Sequence, residues 1–210
     1  AHEMGHGVHQ LLAAEQGELM SSTPLTLAET ASVFSEMLTF NAILNAETSQ
    51  QAKRFMLTNK IEDMLNTVVR QVAFHNFENL VHTHRRNGEL SSEQISKFWV
   101  ETQKQALGPS IRIDDSFKPI WAYIPHFVHS PFYVYAYAFG DCLVNALWQV
   151  YQDGSDPEFN THYKTLLRSG GTVRFDSALA PFSLNPSAPE FWNKGLDMIS
   201  SMIDQVEDLQ

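Results

Sequence analysis

The chain has 210 residues, 43% of them hydrophobic, and a formal charge of −10. That length holds one well-buried core or at most two small ones, and that hydrophobic share excludes a disordered chain. The acidic balance excludes a phosphate-backbone partner, because basic runs such as His84-Arg85-Arg86 are too short to track one, so no nucleic acid is expected.

Helical periodicity dominates from the start. His2 to about Gln16 reads as a helix closed by Gly17. After the polar loop ending Ser22-Thr23-Pro24, Thr26 is a candidate cap for a second helix to about Asn45, with Val33, Met37, Phe40 and Leu44 at three- and four-residue steps. A long third helix follows Thr48 or Ser49, carrying Phe55, Ile61, Leu65, Val68, Val72, Phe77 and Leu80 until Asn87-Gly88 stops it. Ser91 and Gln94 form a capping box that starts a fourth helix to about Leu107.

From Gly108 to Pro131, four prolines predict a long loop packed by its aromatics. Phe132 to Tyr151 reads as an apolar helix buried on most sides. Its interruption by Asp141 and Asn145 leaves no run of the roughly 18 apolar residues that a membrane span needs, so no membrane contact is expected. Asp156-Pro157 opens another helix to about Arg168, and the last runs from Ser187 or Pro189 nearly to Leu209. With no alternating strand pattern, the fold expected is all-α, one helical domain over 1–210. Cys142 stands alone, which removes intramolecular disulfides and multi-thiolate metal sites and fits a reducing compartment.

The stretch His2-Glu3-Met4-Gly5-His6 carries the first chemistry. Residues four apart share a helix face, so the imidazoles of His2 and His6 can address one zinc ion. Glu3, one step round, is placed to act on a water beside that ion as general base. The ordinary alternative, that these are surface histidines, does not account for the spacing together with the glutamate. A hydrolytic zinc site needs a third protein ligand. The extended pattern that takes it from a histidine six residues on requires glycine at position 9 and histidine at position 12, and the chain has His9 and Leu12 there. A glutamate on the following helix is the other option. Glu29 answers it, in a first helical turn, with Ala28, Ala31 and Ser32 small enough for close helix approach. Glu36, two turns further, reads equally as a partner for the outer nitrogen of a ligating histidine or as an exposed carboxylate. His9 reads as a substrate contact or a surface histidine.

A second constellation, Ile124-Pro125-His126-Phe127-Val128-His129-Ser130-Pro131, runs into Phe132-Tyr133-Val134-Tyr135-Ala136-Tyr137. Hydrogen-bond donors of these types stabilise the negative charge that builds on a carbonyl oxygen during hydrolysis. The competing reading is a core face with satisfied hydroxyls. Two histidines and three tyrosines at a loop mouth exceed what a core needs, and at least two of the five are expected to function.

Taken in order, HEMGH, LAETASVFSE and IPHFVHSPFYVYAYAFG resemble the oligoendopeptidase F family of zinc metallopeptidases, relatives of thimet oligopeptidase. The resemblance extends through Leu166 to Thr172 and Pro189 to Trp192, so it covers the chain nearly end to end. It implies a gluzincin-like site between two neighbouring helices, with His2, His6 and Glu29 holding one zinc ion and Glu3 as the catalytic glutamate. It assigns transition-state donors to His126 and Tyr135, with His129 and Tyr133 as further candidates. It implies a cytoplasmic endopeptidase for short oligopeptides, a carboxypeptidase of the same design being the near rival and a non-catalytic helical interaction fragment the distant one. Members of the family are much longer, so the chain is expected to be a C-terminal catalytic portion. Surface that the N-terminal part would cover is then bare and favours self-association.

Overall fold

The computed structural model describes residues 1–209. The chain is all-α, and no strand occurs among these residues. Its helices are α1 (His2–Ala13), α2 (Thr30–Ala46), α3 (Gln50–Arg85), α4 (Ser92–Leu107), α5 (His126–His129), α6 (Tyr135–Asp153), α7 (Phe159–Arg168), α8 (Phe175–Leu179) and α9 (Pro189–Asp208). Contacts divide the chain into two compact units, where a single domain over 1–210 is expected from the sequence. One unit comprises Ala1–Met64 and the chain from Phe139 onward; the other is Leu65–Ala138. The division therefore passes through α3 and α6.

In the first unit α1 lies against α2. The contact is closest at Gly5, where an added Cβ would stand 2.5 Å from the carbonyl oxygen of Ala31 and 2.6 Å from the Cα of Ser32. Only glycine permits that approach. Phe34 on the buried side of α2 meets Trp148, Tyr163 and Phe159 at ring separations of 5.5, 4.7 and 5.8 Å. Edge, tilted and stacked contacts of this kind add to the burial of the rings themselves. From Gly140 to Trp148 every residue of α6 is buried, as its apolar composition predicts.

The second unit is built on Phe74 and Phe77 of α3, Trp99 of α4, and Val134. Phe117, Trp121 and Phe127 from the proline-bearing segment pack onto this cluster. Two indole N–H groups pin the segment: Trp99 donates to the carbonyl of Phe117 at 3.0 Å, and Trp121 to Ser96 Oγ at 3.1 Å. A buried Trp needs such a partner. The capping box of Ser91 and Gln94 forms as its sequence predicts.

Four elements differ from the sequence reading. Helix α2 begins at Thr30 rather than near Thr26, because Leu25–Leu27 take a 3-10 turn after Pro24 and Glu29 sits at the N-cap with φ −89° and ψ 2°. On α3, Phe55, Leu65 and Val72 are exposed, while Leu57, Met64 and Ala73 turn inward. Such a long helix drifts in phase, so one apolar pattern cannot describe its whole length. Helix α6 starts at Tyr135 because Phe132 has a φ of 60°. Helix α7 starts at Phe159, since Asp156 accepts the backbone N–H of Glu158 at 3.0 Å and so holds a turn ahead of the helix.

Candidate functional site

Two groups of chemistry-bearing side chains lie one in each unit. In the first, α1 presents His2 and His6 on the face turned to α2, and the N-cap of α2 presents Glu29. The ring nitrogens His2 Nε2 and His6 Nε2 are 3.1 Å apart, and Glu29 Oε2 lies 3.6 Å from the first and 3.4 Å from the second. Donors held about 2.0–2.1 Å from a tetrahedral ion stand roughly 3.3 Å from one another, so this near-equilateral triangle has the size of one face of a zinc coordination sphere. The donor set, two imidazoles and a carboxylate, is the chemistry a catalytic zinc takes. Among the described residues no other group of three or more His, Cys, Asp or Glu side chains converges in this way.

Two corners of the triangle, His2 and Glu29, are held from behind. His2 Nδ1 donates to Glu36 Oε1 at 2.9 Å, which leaves Nε2 of the neutral ring with its lone pair facing the other two donors. Lys60 Nζ stands 3.9 Å from the second oxygen of Glu36. Ser32 Oγ donates to Glu29 Oε2 at 2.6 Å and so fixes the carboxylate rotamer. Of the two readings open for Glu36 in the sequence, the structure shows the partnership with His2.

Glu3 is exposed, next along α1 from His2, and its carboxylate has no partner among the described residues. His9, only 4% exposed, is not a surface histidine. Its Nε2 faces Thr23 Oγ1 at 3.2 Å, and burial, aided by the nearby His6, pushes its pKa down, so it is held neutral. His6, His9, Ser21 and Thr23 border a cleft of about 470 Å³, the room next to the triangle in this unit.

Deeper in the first unit, burial raises the carboxyl of Asp141 to about 6 against the pull of Lys60 and of Asn145, whose Nδ2 donates to it at 3.0 Å. The adjacent Cys142 thiol is pushed up to about 12 by burial and by Asp141, so it is not a nucleophile at neutral pH.

In the second unit His126, Tyr133 and Tyr137 form one cluster. The His126 ring stacks on Tyr133 at 5.4 Å and meets Tyr137 edge-on at 5.8 Å, with Nε2 3.4 Å from the Tyr137 hydroxyl. Tyr135 points elsewhere, with its ring 5.8 Å from His75, and His129 is exposed and outside the cluster. Of the five residues expected as donors or their neighbours, three are thus together and two are not.

The sequence reading missed Gly5, and it took Ser32 only as a small residue that allows close helix approach, not as a donor to Glu29. The trace of that second role is its place three residues after Glu29, the reach of one helical turn. Gly5 leaves no trace beyond its identity, because its meaning lies in the α2 backbone opposite.

The comparisons with known proteins agree with this architecture. The model of peptidase family M3 matches residues 1–198. The Bacillus subtilis protein named oligopeptidase PepF is 29% identical over 99% of this chain, which spans 31% of that protein. The chromosomal oligoendopeptidase F of Lactococcus lactis subsp. cremoris is 28% identical over 99% of the chain and 35% of its own length. Among solved structures, a putative peptidase from Chlamydophila abortus superposes with a TM-score of 0.89 at 29% identity, over 100% of this chain and 35% of its own. The oligoendopeptidase-F of Enterococcus faecium does so with a TM-score of 0.84 at 25% identity, over 99% of this chain and 38% of its own. The chain therefore spans about a third of the length of these relatives. With two imidazoles and a carboxylate meeting across α1 and α2, and a family model covering all but the last residues, the chain belongs to peptidase family M3.

Proposed function

We propose that this chain is the catalytic portion of a zinc-dependent endopeptidase that hydrolyses peptide bonds within short oligopeptides, as part of a longer polypeptide. The observation that carries the reading is the triangle of His2 Nε2, His6 Nε2 and Glu29 Oε2, with its edges of 3.1, 3.4 and 3.6 Å. These three side chains would hold one zinc ion. When bound, zinc acts as a Lewis acid that polarises the scissile carbonyl and makes water acidic enough to attack near neutral pH.

The chain's own residues do the rest. Glu36 keeps the His2 ring in the tautomer that offers Nε2, and Ser32 keeps one Glu29 oxygen on station. Glu3 takes the proton from the attacking water on its carboxylate and returns it to the leaving nitrogen. The cluster of His126, Tyr133 and Tyr137, with Tyr135 as the further donor that the family likeness implies, supplies hydrogen bonds to the oxygen on which charge develops. No helix among the described residues is long and apolar enough to cross a membrane.

Replacing Glu3 by Gln in the full-length polypeptide tests the mechanism. Zinc content is expected to stay unchanged while cleavage of an internally quenched fluorescent peptide falls by about 100-fold to 10,000-fold. Undiminished cleavage by the Gln variant would remove Glu3 from the chemistry and with it the proton transfers proposed here.

A further inference from the structure

The turn that leads into the His126–Tyr133–Tyr137 cluster has a backbone problem. Ser130 accepts the N–H of Tyr133 at 3.2 Å, with Pro131 second and Phe132 third in the turn. Phe132 has a φ of 60°, in the left-handed region where a third-place residue is normally glycine or asparagine. A bulky side chain stays there only when its surroundings hold it.

Two residues on one face of α3 do so, and a third on that face packs against Tyr135 three positions on. Glu78 Oε1 accepts the Phe132 N–H at 2.8 Å. His82, one turn on, packs its ring 4.7 Å from the Phe132 ring, and His75, one turn back, packs 5.8 Å from Tyr135. Glu78 is itself only 2% exposed, and its second oxygen is buried without a hydrogen-bond partner. A carboxylate is costly to bury, and a core needs none at this place. Val134, 1% exposed, anchors the same segment in the core of Phe74, Phe77 and Trp99. The angle at which the chain leaves this turn sets where Tyr133 and Tyr137 stand against His126.

We propose that Glu78 is a positioning residue for the proposed oxyanion donors: its carboxylate holds Phe132 in the left-handed turn and thereby sets the geometry of His126, Tyr133 and Tyr137. The inference rests on the reading of that cluster given under Proposed function. Glu78 touches no reacting atom in this account.

The test uses the zinc-loaded full-length polypeptide with Glu78→Leu, which removes the acceptor, and Glu78→Gln, whose amide oxygen can still accept the Phe132 N–H. Peptide cleavage is measured as kcat and KM, zinc by metal analysis, and the His126 ring by NMR of carbon-labelled histidine. Glu78→Leu is expected to lower kcat by about tenfold to a hundredfold, with zinc content retained and the His126 signal displaced. KM should move by no more than about threefold. Glu78→Gln is expected to recover most of the loss and to return the His126 signal to its original position.

The proposal is overturned if both variants lose activity equally, or if the His126 signal is unmoved in Glu78→Leu. His126→Ala runs beside them. If that variant keeps full kcat, the donor reading fails by itself, and the His126 signal in Glu78→Leu then decides whether Glu78 positions the segment.

Discussion

The two groups of candidate site residues are built in opposite ways. The triangle of His2, His6 and Glu29 stands on regular helix and one helix start, with helix spacing and a glycine contact fixing its edges. The cluster of His126, Tyr133 and Tyr137 hangs on a four-residue helix, a proline turn and a residue with positive φ. Helices define side-chain directions through local hydrogen bonds, so a site on them needs few supports from elsewhere. A site on an irregular segment has to borrow its rigidity from distant residues, and here Trp99, Ser96 and Glu78 lend it. The lesson is that the two sites should fail differently: the first through backbone approach and metal affinity, the second through side-chain position with the metal retained.

Of the effects that separate the two groups, the largest tests the second. His126→Ala in the full-length polypeptide should reduce kcat by about 100-fold to 1000-fold, the usual cost of one lost oxyanion donor. Zinc content should be unchanged by metal analysis. Loss of zinc in this variant would erase the proposed separation between the groups.

Next comes a pair of substitutions on α1. Gly5→Ala drives a methyl group into the α2 backbone, and overpacking of this kind costs about 1–3 kcal/mol. It should also weaken zinc binding by spreading the triangle. Gly7→Ala adds its methyl group to open space and should be neutral or stabilising by up to about 1 kcal/mol, since alanine is the better helix former. Urea unfolding and zinc titration of both variants provide the check. Equal behaviour would mean that close helix approach is not what holds the histidines.

The last effect concerns Asp141, which is buried and lies under the influence of Lys60. Burial raises Asp141 to about 6 in the fold, above its usual value of about 3.9 when unfolded. A carboxyl whose pKa rises on folding binds its proton more tightly in the folded state. It therefore contributes stability that is complete below about pH 4 and is lost as pH rises through about 6. Asp141→Asn removes this dependence. Relative to the parent, the variant should gain stability on the order of 2 kcal/mol between about pH 4 and pH 7, read from unfolding curves at both ends. A constant difference would show that Lys60 keeps Asp141 charged throughout.

The legibility of the two groups follows the same division. His2, Glu3 and His6 are readable because a helix converts a spacing of four into a shared face, whatever surrounds it. Glu29 is readable as a candidate, yet its place at the N-cap rather than inside a first turn depends on the 3-10 turn after Pro24, which propensity alone does not announce. The long loop after Gly108 is evident from its prolines. Its short helices, and the separation of Tyr135 from His126, are not.

Sequence by itself determined the all-α class, most helix ends and the candidate metal ligands, because helix periodicity, caps and glycine or proline stops act within a few residues. Tertiary structure alone decided that α1 approaches α2 at Gly5, that Glu36 and Ser32 hold the donors in place, and that Glu78 meets Phe132. These are contacts between residues far apart in the chain, and whether such groups meet depends on how the whole core packs rather than on any local pattern.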